Sequence, residues 1–220
     1  MTVGEIKTYV SYLVDDLQLG YFTSTQLDRF INQAQIEVQK KLIRAGFTWY
    51  LKIDATLVSV VNQADYALPT DFLEINRLEY VTNPGVSESR ITLNSIDGLS
   101  ELDYFVEYNG QPRAFYLKKN NITLVPKPDT AGIYLRIYYN YQIANNTVDA
   151  DVPDIPTEFH EYLAHLVAIK CFIKDGREYS LLAAYTQEVE KNLLMMATSR
   201  LQDKPRMVIC TTNDGGGPVF

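Results

Sequence analysis

The sequence predicts an α+β fold, in which N-terminal and C-terminal helix pairs form a four-helix bundle and an antiparallel β-sheet is inserted between them. Two observations predict it. Apolar residues recur at steps of three and four near both ends of the chain, whereas in the middle they alternate with polar residues. The expected division is a helical bundle over residues 1–48 and 155–202, a β-rich insert over 49–144 and a flexible, extended C-terminal arm over 203–220.

The N-terminal helix pair is predicted over residues 3–17 and 23–45. Thr23 and Gln26 have the spacing of a capping box, which begins the second helix, and Gly20 and Gly46 end the two helices. The apolar faces consist of Val3, Ile6, Val10, Leu13 and Leu17 in the first helix, and of Leu27, Ile31, Ala34, Val38, Leu42 and Ala45 in the second.

From Trp49 the apolar period changes to two, which is typical of strands. The expected elements are, in order, a strand over 49–59, a turn over 62–65, a returning strand over 72–81, a polar loop over 82–90 and a short helical turn over 95–102.

A β-hairpin is the clearest local motif of the insert. Two alternating runs flank Asn120 and Asn121, a pair that tolerates the positive φ of a tight turn. Pro126 and Pro128 end the second run, because proline has no N–H to donate to a neighbouring strand. A Tyr-rich and Ile-rich run over 133–139 then returns, which predicts a three-stranded antiparallel unit.

The C-terminal helix pair follows an acidic connector over 145–154. Thr157 is the expected N-cap of the third helix, which Gly176 ends, and the fourth helix fades after Arg200. The expected apolar faces are Phe159, Leu163, Leu166, Val167 and Ile173 in the third helix, and Leu182, Tyr185, Val189, Leu193 and Met196 in the fourth.

Composition narrows the classes of function. The formal net charge of −7 and the lack of a basic cluster argue against binding to nucleic acid. No window of about 18 uninterrupted apolar residues predicts a membrane segment, and the N-terminus does not resemble a signal peptide. The two cysteines, Cys171 and Cys210, do not form a disulfide framework, so a reduced cytoplasmic origin is expected.

The residues offer little support for catalysis. His160 and His165 are five positions apart, roughly 140° around a helix, so they cannot face one metal; each is expected at the surface or an interface. Neither cysteine has an evident histidine partner, and the glycines over 215–217 precede a proline instead of opening a phosphate-binding helix. No catalytic, cofactor-binding or metal residue is therefore assigned.

Two acidic groups leave alternatives open. Asp149, Asp151, Asp154 and Glu158 could bind calcium weakly, although a solvated helix-entry linker is favoured because the glycine and final glutamate of a calcium loop are missing. The second group contains Glu101, Asp103 and Glu107, and sequence alone cannot set the carboxylate separation that a glycosidase needs.

The order of these motifs resembles that of head-to-tail adaptor (connector) proteins of short-tailed bacteriophages. The resemblance covers about residues 3–200. It is carried by 66–73 (Tyr-Ala-Leu-Pro-Thr-Asp-Phe-Leu), by Gly110 and Pro112 with 126–129 (Pro-Lys-Pro-Asp), and by 155–162 (Ile-Pro-Thr-Glu-Phe-His-Glu-Tyr), which opens a helix.

The resemblance implies a non-enzymatic virion protein, made in the host cytoplasm, that forms a dodecameric ring beneath the portal at the head–tail interface. The implied partners are the portal protein, a tail nozzle or tail-tube protein and further copies of the chain. Double-stranded DNA would pass through the channel without specific binding, and no cofactor or membrane is implied. The arm could dock on the portal or on a neighbouring copy through Val208, Ile209 and Phe220.

Three other functions stay open at this stage. A tail nozzle or tail-tube protein should contain a larger fraction of strand than the adaptor prediction, which needs more helix than strand. A metal-dependent enzyme would use the acidic residues of 149–158. A carbohydrate-binding module would expose Tyr138, Tyr139 and Tyr141, which fit a buried strand face equally well.

Overall fold

The computed structural model describes residues 1–16, 21–82, 89–96 and 108–202, with side chains up to Met196. The helices are α1 (Val3–Val14), α2 (Ser24–Arg44), α3 (His160–Asp175), which a 3-10 turn (Thr157–Phe159) precedes, and α4 (Ser180–Gln202). The strands are β1 (Leu51–Val58), β2 (Asp65–Ala67), β3 (Phe72–Val81), β4 (Arg90–Ser95), β5 (Asn109–Gly110), β6 (Ala114–Lys118), β7 (Asn121–Val125), β8 (Lys127–Pro128) and β9 (Tyr134–Tyr141).

Side-chain caps fix the starts of the N-terminal helices. Thr2 forms a capping box with Glu5 at the start of α1, and Thr23 forms the predicted one with Gln26 at the start of α2. Asp15 ends α1 earlier than predicted, because it adopts a left-handed conformation with φ 57°. The expected N-cap at Thr157 is wrong, since neither the 3-10 turn nor α3 has a side-chain cap.

The described part of the chain is α+β, with 40% helix and 28% strand, but the predicted four-helix bundle is wrong. α3 packs against α1, α2 and α4, while a seven-stranded curled sheet builds a separate core. α4 carries apolar residues around its whole circumference, so it has no single stripe to insert into a bundle. Leu182, Val189 and Leu193 pack against the helical core, and Leu181 is 87% exposed.

The main sheet has the strand order β1-β9-β3-β4-β6-β7-β2, and β5 pairs with β8 in a second sheet. The insert is not purely antiparallel as predicted, because β4 pairs with β6 in parallel and β5 with β8 likewise. The expected three-stranded unit is also wrong: β6 and β7 form the hairpin, but β9 lies between β1 and β3. β9 pairs with β1 and β3, which are the other two long strands of the sheet.

The hairpin turn lies one residue earlier than predicted. Lys118 pairs with Asn121, so Lys119 and Asn120 form the two-residue loop, and Lys119 has the positive φ, 55°. β7 ends at Val125, immediately before Pro126, as predicted. The sequence patterns missed strand β4; of the helical turn predicted over 95–102, Ser95 belongs to β4 and residues 97–102 lie outside the described residues.

Two hydrophobic cores result. The helical core contains the fully buried Ile6, Leu27, Ile31 and Leu163. The sheet core is lined by Leu78, Tyr80, Leu93, Phe115, Ile122, Leu124, Leu135, Ile137 and Tyr139. Tyr141 contacts both cores, and its ring packs edge-on against the ring of buried Tyr50, with centroids 5.8 Å apart. The aromatic pair therefore joins the sheet to the helices.

Candidate interaction surfaces

The free edge of the main sheet carries a row of exposed apolar side chains. β1 is the terminal strand of the sheet, and among the described residues it pairs only with β9. We name as the edge strip the exposed residues Trp49, Leu51, Ile53, Val58, Val60 and Val61. An apolar edge strand with unpaired backbone groups is a template for pairing with another chain.

Both charged residues of β1 are engaged within the chain. Lys52 forms an ion pair with Asp71 (2.6 Å) and lies 4.0 Å from the centre of the Tyr141 ring; the hydrogen bond from Lys52 lowers the pKa of Asp71. Asp54 accepts hydrogen bonds from the backbone N–H (2.8 Å) and the hydroxyl (2.7 Å) of Thr56, within a β-bulge. Because both charged side chains of β1 have partners within the chain, the edge strip presents mainly apolar side chains to its surroundings.

A second apolar surface lies at the other end of the helices. We name as the helical-end surface the exposed residues Tyr12, Tyr21, Ile173, Tyr179 and Leu181. α2 leads into β1 at its C-terminus and begins near this surface, where Lys174 lies 5.3 Å from the Phe22 ring. A 21-residue helix at about 1.5 Å per residue spans about 31 Å, which separates the two surfaces.

A cleft of about 500 Å³ lies between the C-terminal end of α2 and the outer face of the sheet. Phe47, Leu51, Arg77 and Tyr138 are among its lining residues. Arg77 forms an ion pair with buried Glu79 (3.1 Å) and covers the Tyr138 ring at 4.2 Å, while the Tyr138 hydroxyl donates to Glu79 at 3.2 Å. These groups satisfy one another, so the cleft shows a packed charge pair instead of a reactive centre.

A three-residue polar network fixes α4 against its neighbours. Lys41 of α2 donates to the Tyr162 hydroxyl (2.8 Å) and forms an ion pair with Glu190 of α4 (2.7 Å), and Tyr162 donates to Glu190 at 2.7 Å. Burial, together with the hydrogen bond to Glu190, raises the pKa of Tyr162. His165 faces Tyr185 one turn further along, so α4 runs antiparallel to α3.

The acids of the connector hold the fold together. Asp149 pairs with Lys7 (2.6 Å), the Asp151 carboxylate accepts from the backbone N–H groups of Thr147 (2.7 Å) and Val148 (3.0 Å), and Asp154 accepts from the Tyr141 hydroxyl (2.7 Å). Each carboxylate points to a different partner. Across the described residues, no group of three or more His, Cys, Asp or Glu side chains could hold a metal ion.

Lys7, which pairs with Asp149, is the centre of a larger polar network. Its ammonium lies 2.7 Å from Asp28, 2.6 Å from Asp149 and 2.8 Å from the Ser24 hydroxyl, and its side chain is 7% exposed. Burial lowers the pKa of Lys7, but the hydrogen bonds and charges of the two aspartates outweigh it, so the pKa is raised. The network ties α1 to α2 and to the connector.

The expected surface position of the histidines is wrong, because both are buried. His160 bonds to the Ile155 carbonyl (3.1 Å) and to the N-terminal ammonium (2.7 Å), whereas His165 contacts the Tyr9 hydroxyl at 3.4 Å. Burial lowers the pKa of both imidazoles. The lowered pKa values favour the neutral imidazoles at pH 7. Both side chains occupy buried positions of α3, among its buried apolar residues.

The three tyrosines considered for carbohydrate binding are engaged within the fold. Tyr139 is buried and donates to Asp71 at 2.9 Å; burial and this bond raise its pKa to about 12. Tyr141 bonds to Asp154 and Tyr138 to Glu79, with cationic side chains over both rings. The hydroxyl groups of all three are therefore engaged within the fold, and a cationic side chain covers one face of the Tyr138 ring and one face of the Tyr141 ring.

Several residues singled out from the sequence lie outside the described residues: Glu101, Asp103, Glu107, Val208, Ile209, Cys210 and Phe220. Cys171 is fully buried in α3, and burial raises the pKa of its thiol to about 11. None of the helices in the described part is long and apolar enough to cross a membrane.

The sequence patterns did not identify either apolar surface. The one signal for the edge strip is that apolar residues occupy both alternating positions near its end, at Val58, Val60 and Val61. A strand that is buried on one face needs apolar residues only at every second position. The helical-end surface has no comparable signal, because its residues come from separate parts of the chain.

A comparison with protein families gives a match over most of the chain. The family model described as SU10 adaptor protein matches residues 1–208, and so includes all the helices, the strands and both apolar surfaces. A search of the curated proteins found no match.

Proposed function

The chain belongs to the SU10 adaptor protein family, a family of phage adaptor proteins, and we propose that it forms a ring that joins the DNA-filled head to the tail. In this proposal the ring is dodecameric and binds beneath the portal protein. It closes the filled head and presents a platform for a tail nozzle or tail-tube protein. Membership of an adaptor family supports a structural role in the virion, and we propose that the chain has no enzymatic activity.

The observation that supports the ring is the pair of separated apolar surfaces. A closed ring requires a heterologous interface, in which two different patches of each protomer meet. The edge strip and the helical-end surface differ in chemistry, one being a strand edge and the other a cluster of aromatic and aliphatic side chains. α2, which is about 31 Å long, begins near the helical-end surface and leads into β1, so the two surfaces are at opposite ends of this helix and one copy can contact two partners at once.

Composition supports the passage of DNA through the channel. The net charge of −7 gives little electrostatic affinity for the phosphate backbone, so a ring of such chains would let DNA slide. The arm over 203–220 is proposed to dock on the portal or a neighbouring copy through Val208, Ile209 and Phe220. Deleting residues 207–220 should therefore weaken portal binding or reduce the stability of filled heads.

The test is negative-stain imaging, with mass determination, of the purified chain mixed with portal complexes on filled heads. A ring of added density beneath the portal, in portal stoichiometry, is expected. Leu181→Asp should weaken ring formation, because it places a charge on the helical-end surface. Val152→Asp is the matched control, since Val152 is an exposed valine of the connector and belongs to neither surface. Intact portals without added density would refute the adaptor ring.

The alternative of a tail nozzle or tail-tube protein is less consistent with the fold. It called for a larger fraction of strand than the adaptor prediction, which needs more helix than strand, and the described residues contain more helix than strand. Binding of the chain to isolated tails but not to portal-bearing heads would favour this alternative.

A further inference from the structure

We propose that the free edge of β1 is the docking site for residues 207–212 of a neighbouring copy, which add a strand to the sheet. This inference rests on the proposed ring and names the part of a neighbouring copy that pairs with the backbone edge of β1. β1 is the acceptor because it is the terminal strand of the main sheet and exposes Leu51 and Ile53 on one face. Added strands gain affinity from backbone hydrogen bonds and specificity from alternate side chains.

The regular part of the edge is long enough for this purpose. Leu51 to Asp54 pair with β9 in unbroken register before the bulge. The Leu51 N–H bonds to the Thr48 carbonyl (3.1 Å), so the outward N–H that an added strand can use in this stretch is that of Ile53. Lys52 and Asp54 already have partners in Asp71 and Thr56. An incoming strand therefore does not need a charge to match either side chain.

The sequence of the C-terminal segment fits such an edge. Residues 207–212 read Met-Val-Ile-Cys-Thr-Thr, which is uncharged and includes four β-branched residues. Pro205 precedes the segment and the glycines of 215–217 follow it, so strand propensity is confined to a short stretch. A short, uncharged run rich in β-branched residues favours the extended conformation, which is the one that pairs with an exposed sheet edge.

α4 runs toward the sheet end of the molecule, and residues 207–212 follow it in the sequence. Glu190 contacts Tyr162, near the start of α3, and α4 runs antiparallel to α3. The remaining residues, 191–202, extend about 18 Å further in the same direction at about 1.5 Å per residue. The sheet lies beyond the start of α3, since Asp154 bonds to Tyr141 there. Residue 207 is five positions after the end of α4, a reach of about 17 Å at about 3.3 Å per residue.

Engineered disulfides on the full chain test the contact. In a Cys210→Ser background, Ile53→Cys is combined with Val208→Cys or with Ile209→Cys, because the register is to be determined. Directly opposite strand residues have Cβ atoms about 4.5–5.5 Å apart, against about 3.5–4.5 Å in a disulfide, so a small adjustment of the two strands is enough to link an opposite pair. Oxidation of portal-bound rings should give covalently linked neighbours, with at least about tenfold more product than the control.

The matched control is Tyr134→Cys with the same partners. Tyr134 is 43% exposed and Ile53 58%, but Tyr134 lies on β9, whose backbone pairs with β1 and β3 on both sides. Equal yields from Ile53→Cys and Tyr134→Cys, or linkage only within one chain, would overturn the proposal. A failure of the proposed function is distinguishable, because no ring would then form on the portal before oxidation.

Hydrogen exchange supplies a second readout that does not require new cysteines. In assembled rings the Ile53 amide, which points away from β9, should exchange at least about tenfold faster after deletion of 207–220. Amides of β9 serve as the internal reference, since both of its neighbours are present in every variant. Unchanged exchange at Ile53, in rings that still assemble, would also overturn the proposal.

Discussion

Replacement of Lys7 by methionine should destabilise the chain by about 2–3 kcal/mol. The substitution keeps the length and apolar stem of the side chain but removes the ammonium that Asp28, Asp149 and Ser24 share. A hydrogen bond to a charged group contributes about 1.5–3 kcal/mol when its partner would otherwise be left unpaired. Lys7→Met should therefore act on electrostatics and leave the packing of α1 almost unchanged.

The two aspartates should contribute unequally. Asp149 has a side chain that is 67% exposed, so water screens its ion pair and its contribution should stay below about 1 kcal/mol. Asp28 is 32% exposed and retains more of the interaction. We expect Asp28→Asn to cost more than Asp149→Asn, and each to cost less than Lys7→Met.

Urea unfolding at neutral pH measures these differences, with Lys40→Met as the control. Lys40 is an exposed lysine of α2, and no ion pair of Lys40 is found among the described residues. Its replacement should change the free energy of unfolding by less than about 0.5 kcal/mol. A Lys7→Met variant within about 0.5 kcal/mol of the parent would refute the reasoning.

The pH dependence gives an independent check. The pKa of Lys7 in the fold is raised above its ordinary value of 10.5, so the fold binds this proton more tightly than the unfolded chain does. The stabilisation is fully present below pH 10.5 and is lost as the pH rises through the folded pKa. The difference between the parent and Lys7→Met should accordingly shrink in strongly alkaline solution. Taking the difference cancels the titration of the tyrosines.

Three further outcomes are expected. Tyr50→Phe should leave the melting temperature unchanged or raise it, because the buried Tyr50 hydroxyl has no hydrogen-bond partner among the described residues; a loss above about 1 kcal/mol would show that the hydroxyl is satisfied. His165→Phe should reduce the loss of stability between pH 7 and 5. Burial lowers the pKa of His165 below 6.5, so in the parent the stability that is present above that pH is lost on acidification. An equal fall in the melting temperatures of the parent and the variant between pH 7 and 5 would contradict this. In a Cys210→Ser background, maleimide should label Cys171 only after denaturation, since burial raises the pKa of the thiol to about 11; labelling of the native chain at pH 7 would contradict its burial.

Local structure followed from the sequence where a few neighbouring residues decide it. The capping box of Thr23 and Gln26 begins α2, and Pro126 follows the last residue of β7. Both depend on the chemistry of adjacent residues, hydroxyl and amide groups in one case and a missing N–H in the other. The order of the motifs also indicated a phage adaptor, in agreement with the family that matches residues 1–208.

The tertiary structure decided which elements meet. The sequence placed β9 beside the hairpin, but β9 lies between β1 and β3, and the alternation of Leu135, Ile137 and Tyr139 fits either position. α4 has apolar residues on all sides, so only its contacts with α3 show which side is buried. The two apolar surfaces, likewise, could be identified only from the packed structure. Exposure is a property of how distant segments pack, and a periodic pattern reports only which residues share a face.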